Sequence, residues 1–266
     1  MHVPTRSPAY LGLASTRHAA RRALRAGAFA AARDGGARAE APIDWEALAP
    51  RSAYARYGRP LLRWTLLVGL VPPALLLALP LALANALQFG PRRVLFRQRR
   101  VGLHGRVFRI LKFRTMHGSD EDCDAWRACE DEARVTRFGR FLRNTHLDEL
   151  PQLVNILRGE MDFIGPRPEM VAIDAWARTR IPRFHVRCAV RPGVTGLAQV
   201  TQGYAPREVR AYRRKLLLDR QALARTSLAL DLEVLARTAL WMMRGRGWRP
   251  PRVELEERVD ALHPGA

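Results

Sequence analysis

The chain has 266 residues, 48% of them hydrophobic and 26% charged, and its 45 Lys and Arg against 25 Asp and Glu give a formal net charge of +20. That length holds one large domain or two small ones with a useful core, and so basic a surplus implies an anionic partner: nucleic acid, anionic lipid or a phosphorylated substrate. Cys123, Cys129 and Cys188 form no CxxC pair and leave one cysteine over, which indicates neither a disulfide framework nor a zinc site and points to a reducing, cytoplasmic-facing environment.

Residues 1–59 are rich in Ala and Arg, carry Gly35-Gly36 and lack the continuous apolar core of a secretory signal. Their composition predicts a disordered basic arm near anionic lipid, in which His18 to Ala32 could form a basic amphipathic helix. No charged residue follows from Trp64 to Phe89, a stretch long enough as helix to cross a bilayer core of about 30 Å. Pro72-Pro73 lies about a third of the way in and Pro80 follows; a proline inside a helix costs about 3 kcal/mol. Arg56, Arg59 and Arg63 precede the stretch, and Arg92, Arg93, Arg97, Arg99 and Arg100 follow it, so both ends favour the cytoplasmic side. Residues 60–93 are therefore expected to form a re-entrant helical hairpin that enters one leaflet, turns at Pro72-Pro73 and returns. An ordinary kinked span is the alternative.

In residues 94–116, Val107, Phe108, Ile110, Leu111 and Phe113 alternate loosely with Arg109, Lys112 and Arg114, predicting a short β-hairpin turned at Gly102 to Gly105. Acids concentrate between Asp120 and Glu132 without the spacing or glycine of a calcium loop, so a solvated loop is expected. His117, His146 and His185 stand apart without metal-ligand spacing and read as structural.

The stretch from Arg134 to Glu169 has the adjacent carboxylates Asp148 and Glu149 at its centre. Arg134, Arg137, Arg140 and Arg143 precede them and Arg158 and Arg167 follow, a combination that suggests phosphate chemistry. Helix capping explains the same residues: Thr145 can serve as N-cap, first-turn acids gain roughly 0.3–1 kcal/mol each from the helix dipole, and Pro151 sits where little is lost. The chemical alternative has one carboxylate attacking phosphorus while its neighbour holds a metal ion. Spacing does not separate the two.

Glu169 to Val190 reads as a helix followed by an extended piece. Arg191-Pro192-Gly193-Val194-Thr195-Gly196-Leu197-Ala198-Gln199-Val200 makes a tight polar loop, either a phosphate nest or a plain turn. Two amphipathic helices close the chain. In the second, Leu228, Leu232, Leu235, Ala239 and Met242 keep helical spacing after Ser227 as N-cap. With Trp241, Met243, Arg244, Arg246 and Arg249 it suits a helix lying on lipid, or an ordinary core-facing one. Residues 246–266 read as a tail.

Four blocks in order resemble the bacterial sugar transferases, the monotopic polyprenyl-phosphate phosphoglycosyl transferases. They are Phe96-Arg97-Gln98-Arg99 through Lys112-Phe113-Arg114-Thr115-Met116; Leu147-Asp148-Glu149-Leu150-Pro151-Gln152-Leu153 with Asn155 and Gly159-Glu160-Met161; Gly165-Pro166-Arg167-Pro168; and the loop at 191–200. The resemblance implies an α+β fold: a re-entrant membrane hairpin carrying a small, mainly helical catalytic domain over residues 94–245, with a short β-hairpin and interfacial amphipathic helices. It implies Asp148 as a nucleophile toward the β-phosphate of a UDP-sugar, with Glu149, and Asp148 beside it, binding Mg²⁺. Lys112, Arg114, Arg143, Arg158, Arg167, Arg191, Thr195 and Gln199 become phosphate or nucleotide contacts. Its partners would be a UDP-sugar, polyprenyl phosphate and anionic lipid, with a homodimer as a further expectation, at the cytoplasmic face of a bacterial inner membrane in exopolysaccharide or related assembly.

His146 and Asp162 stand where the family usually has serine, Thr201-Gln202 where it has Asn-Gly, and Ala222-Leu223 near a Tyr-Tyr pair. These departures bear on sugar specificity. A scaffold that keeps the fold without turnover is one rival reading. A basic nucleic-acid-binding protein is another, and it has no place for the uncharged segment.

Overall fold

The computed structural model describes residues 43–118, 134–203, 205–206 and 208–243. The basic stretch to residue 42, the acidic loop of 119–133 and the basic tail from Arg244 lie outside the described residues. The chain from Trp45 onward is mostly helical with a small β component. Its longest element, α1 (Arg59–Phe89), stays helical through Pro72, Pro73 and Pro80, where the sequence predicts a turn. Proline's fixed φ is itself helical. What it removes is the donor to the carbonyl four residues back, and long regular runs on either side absorb that loss. The expected hairpin turn at Pro72-Pro73 is thus replaced by continuous helix. Val68, Leu76, Leu79 and Leu87 on this helix are each more than two-thirds exposed.

Folded chain begins earlier than the arm expected to run to residue 59. Trp45 stacks on His104 with ring centroids 5.3 Å apart, and Tyr54 donates to Asp231 at 2.8 Å. Composition hid these two aromatic anchors within an Ala/Arg-rich stretch.

The predicted hairpin is present as antiparallel β1 (Leu95–Val101) and β2 (Val107–Phe113), with Leu95 opposite Phe113 and Val101 opposite Val107. Three helices follow in order: α2 (Arg137–Thr145), α3 (Gln152–Leu157) and α4 (Val171–Arg180). The segment expected to be extended after α4 is instead a 3₁₀ turn, Phe184–Ala189. The region read as a polar loop contains a strand, β4 (Gly193–Thr195), paired in parallel with β3 (Asp162–Ile164). Its glycines serve close backbone packing: a Cβ on Gly193 would lie 2.1 Å from the Gly165 nitrogen. Then come α5 (Leu197–Gln202), α6 (Val209–Ala224) and α7 (Leu228–Met243).

One core joins Leu67 of α1, Ile110 of β2, Ile156 of α3, Phe163 and Ile164 of β3 and Val234 of α7. A second packs Ile173 and Ala177 of α4 against Tyr212 and Leu216 of α6, with Ile181 and Phe184. On α7 the predicted Ser227 cap is made, its Oγ accepting from the Leu230 N–H at 3.3 Å. That helix buries Asp231 and Val234, while Leu228, Leu232, Ala239 and Met242 of the predicted apolar set stay exposed. Helical spacing was right; all of the set but Leu235, which packs on the first core, faces outward.

Both ends of α1 are fastened to this body. Arg59 grips Asp231 of α7 with two nitrogens, each at 3.0 Å. At the far end the buried Asn85 donates to the carbonyls of Val94 and Arg114, both at 3.1 Å.

Candidate active site

The acid pair sits in a turn between two helices. Thr136 caps α2, accepting from the Gly139 N–H at 2.8 Å. Thr145, expected as an N-cap, is the last residue of α2 and donates back to Phe141 and Leu142 carbonyls. His146 then takes a left-handed conformation (φ 57°) and ends the helix, and Leu147–Glu149 forms a single 3₁₀ turn leading through Pro151 into α3. The helix-dipole explanation of the acids therefore loses its helix. Glycine is needed at 139 because α2 lies against β2's continuation: a Cβ there would stand 2.0 Å from the Thr115 carbonyl oxygen.

Asn155 fixes the turn relative to the hairpin. Fully buried, it donates to the Arg109 carbonyl at 2.8 Å and to Glu160 at 2.7 Å, and accepts from the Leu111 N–H at 3.0 Å. This clamp holds β2 so that Lys112 Nζ lies 2.6 Å from Glu149 Oε1 and 3.6 Å from Asp148 Oδ2. Arg167 Nη2 reaches the same Glu149 oxygen at 2.8 Å. Burial alone would raise the Glu149 pKa, but Arg167 and Lys112 outweigh it and hold the carboxyl far below the usual range. Asp148 differs: burial, with Glu149 nearby, raises its pKa despite Lys112, and it accepts no hydrogen bond from any described residue. One carboxylate is thus locked ionised, and the other is buried and sparsely partnered.

The pair lines a cleft of about 890 Å³ whose walls include Leu70, Pro73 and Leu77 of α1 on one side and Arg100, Glu169 and Lys215 on another. Arg143 enters it, bound through Nε to Thr115 Oγ1 at 2.9 Å. Thr195 and Gln199 reach the wall as well, though Thr195 Oγ1 shares a 2.7 Å hydrogen bond with Thr238 and Gln199 Nε2 donates to the Val194 carbonyl. Arg114 touches the cleft but spends Nε on the Arg93 carbonyl at 2.9 Å. Arg158 and Arg191 are not brought to it: Arg158 is exposed on the far end of α3, and Arg191 donates to the Gly159 carbonyl at 2.9 Å.

Sequence reasoning passed over the cleft's other polar wall. Glu169 is buried against Lys215 and Arg187, and Arg187 continues to Asp219 at 2.9 Å. The signal was there in α6, where Tyr212, Lys215, Leu216, Asp219 and Leu223 share a helical stripe, so two charges sit on a buried face. His146 was read as structural; it lines the cleft 4.9 Å from the Trp241 ring, with Nε2 buried and without a hydrogen-bond partner among the described residues, and burial lowers its pKa.

As a donor set for a divalent ion, two adjacent carboxylates suit Mg²⁺, which binds through one or two carboxylates and completes its shell with water and substrate phosphates. Among the described residues no group of three or more His, Cys, Asp or Glu could hold a metal unaided. The fit therefore requires the substrate's own oxygens.

The acid pair, its convergent cations and side chains of the apolar helix α1 line one cleft. The bacterial sugar transferase model matches residues 61–245, and the chain belongs to that family. It is 51% identical over 135 residues to the UDP-glucose:undecaprenyl-phosphate glucose-1-phosphate transferase of Caulobacter vibrioides, covering 51% of this chain and 49% of that protein. A UDP-N-acetylgalactosamine-undecaprenyl-phosphate N-acetylgalactosaminephosphotransferase from Aeromonas hydrophila is 46% identical over 47% of this chain and 30% of its own length. A UDP-glucose:undecaprenyl-phosphate glucose-1-phosphate transferase from Escherichia coli is 41% identical over 51% of this chain and 28% of its own. The chain thus matches half or less of the length of these relatives.

Proposed function

We propose that the chain transfers a sugar 1-phosphate from a UDP-sugar to a polyprenyl phosphate and releases UMP, as an early membrane step of glycoconjugate assembly. The observation that carries this reading is that one cleft holds both the acid pair with its cations and the apolar side chains Leu70, Pro73 and Leu77 of α1. A soluble diphosphate donor and a lipid-borne acceptor could meet only in such a place. The named activities of the relatives agree with it.

Asp148 is the nucleophile in this account. Its carboxylate oxygen attacks the β-phosphorus, the bond from that phosphorus to the bridging oxygen breaks, and UMP leaves with the electron pair. An oxygen of polyprenyl phosphate then attacks the same phosphorus and returns the carboxylate. Poor solvation makes Asp148 a stronger nucleophile than an exposed carboxylate. Lys112, Arg143 and Arg167 orient the diphosphate and stabilise charge on its oxygens. Glu149 and Asp148, with the donor's phosphates, would hold a Mg²⁺ ion, which would supply charge neutralisation of the diphosphate.

The character of α1 supports a monotopic membrane placement. Both its ends are fastened to the same folded body, through Arg59 and through Asn85, so a crossing with its ends in two compartments would have to divide that body. A monotopic placement, with α1 lying in one leaflet without crossing and its basic flanks on the cytoplasmic side, satisfies both ends. The test is UMP release by detergent-solubilised protein given Mg²⁺, polyprenyl phosphate and a panel of UDP-sugars. Release with one donor is expected; none from any donor, by folded protein with lipid present, would favour a scaffold without turnover.

A further inference from the structure

A second apolar cavity lies against α1, adjoining the acid cleft across a shared wall. It has a volume of about 730 Å³, within the range of about 300–1,000 Å³ typical of ligand sites. Leu75, Ala78 and Leu79 of α1 line it with Leu153, Val154 and Leu157 of α3, and Arg92, Arg93 and Arg97 stand along it. The lining leucines on α1 are more than half exposed. The three arginines are exposed, and none has a carboxylate partner among the described residues. An apolar floor beside exposed cations complements an amphiphile with a hydrocarbon chain and an anionic head.

Two such amphiphiles exist in the proposed setting, and the geometry selects between them. The acceptor's phosphate has to reach Asp148, yet none of Asp148, Glu149, Lys112, Arg143 or Arg167 lines this cavity. We propose that the cavity is a site for an anionic phospholipid that does not react, with an acyl chain between α1 and α3 and its phosphate against Arg92, Arg93 and Arg97. The proposal rests on the membrane placement of α1, and its choice of phospholipid over acceptor rests also on Asp148 as the site of transfer. Ala74, Phe113, Arg114, Leu150 and Leu153 line both cavities, and Leu150 directly follows Glu149. An acyl chain here therefore braces the wall that carries the acid pair.

The full-length protein is reconstituted in phosphatidylcholine vesicles doped with phosphatidylglycerol bearing a photoreactive acyl chain, and the adducts are mapped by mass spectrometry. Adducts are expected on the groove residues of α1 and α3, reduced by excess phosphatidylglycerol and not by phosphatidylcholine. R92Q/R93Q/R97Q should weaken groove labelling by roughly fivefold for each arginine removed. Ala78→Phe should block it while leaving labelling at Leu87 unchanged. Equal labelling by a phosphatidylcholine probe, or no response to the arginine changes in folded protein, would leave only bulk lipid contact and overturn the proposal. Displacement by polyprenyl phosphate in preference to phosphatidylglycerol would overturn it in favour of the acceptor's tail. A protein inert toward every UDP-sugar would still give the expected labelling, so this result and the transferase result fail independently.

Discussion

Two clusters of buried charge reach the same cleft, one of them through Glu169 and Lys215, and behave oppositely. In the first, Glu169, Arg187, Lys215 and Asp219 neutralise one another: Arg187 Nε meets Asp219 at 2.9 Å, its Nη1 meets Glu169 at 3.1 Å, and its Nη2 donates to the Arg167 carbonyl at 2.8 Å. In the second, Lys112 and Arg167 converge on one oxygen of Glu149 and leave Asp148 with a single cation at 3.6 Å. A closed network ties α6 to the 3₁₀ turn Phe184–Ala189 and to the segment carrying Arg167 and Glu169. An incompletely matched one keeps a carboxylate available. Burial raises the pKa of Asp148, whereas in Glu169 burial is overcome by Lys215 and Arg187, which bring it to about 2.

The comparison sharpens most at Asp148. Asp148→Asn should lower transfer on the order of a thousandfold or more, as loss of a nucleophile does, measured as UMP release. The same variant should melt no lower than the parent, because folding disfavours the Asp148 charge. Arg187→Met should do the reverse, destabilising the fold by about 3–5 kcal/mol through the carboxylates it leaves unpaired, read from urea unfolding. Its residual activity, scaled to folded protein, should stay within about an order of magnitude of the parent.

A smaller effect separates the clusters by pH. Glu169 has a folded pKa of about 2 against an ordinary value of 4.5. Its stabilising contribution is complete above 4.5 and is lost as pH falls toward 2. Asp148, raised in the fold, has the opposite sign: its protonated form is the favoured one, and stability falls as pH rises through its folded value. Melting curves from neutral pH to acid should therefore be flatter in Glu169→Gln and steeper in Asp148→Asn than in the parent. The smallest effect is expected at Arg158, which lies outside the cleft. Arg158→Gln should change activity less than about twofold, since an exposed substitution away from a site is worth within about 0.5 kcal/mol.

What the sequence disclosed follows a physical line. Local periodicity marked the β1–β2 hairpin and the helix after Ser227, because both are set by neighbours a few residues away. The acid pair was visible as chemistry, but its turn was not: the left-handed His146 and the back-bonded Thr145 depend on how α2 meets Thr115. The β3–β4 pairing was hidden because two three-residue strands pair in parallel only through contacts thirty residues apart. Arginines were legible as charge and not as direction. Arg114 and Arg191 turn to backbone carbonyls, while Lys112 and Arg167 turn to Glu149. Glu169 went unremarked because its partners Arg187 and Lys215 come from distant segments.

The central claim is that Asp148 carries the phosphosugar between donor and acceptor. Its most direct test is intact-protein mass spectrometry of detergent-solubilised protein, acid-quenched after mixing with Mg²⁺ and the UDP-sugar that supports UMP release, with no polyprenyl phosphate present. The account predicts a mass increase equal to one phosphosugar, located on the peptide containing Asp148, absent from Asp148→Asn and discharged when polyprenyl phosphate is added. UMP release that requires both substrates at once, with no adduct at any time, would contradict it and make the transfer direct.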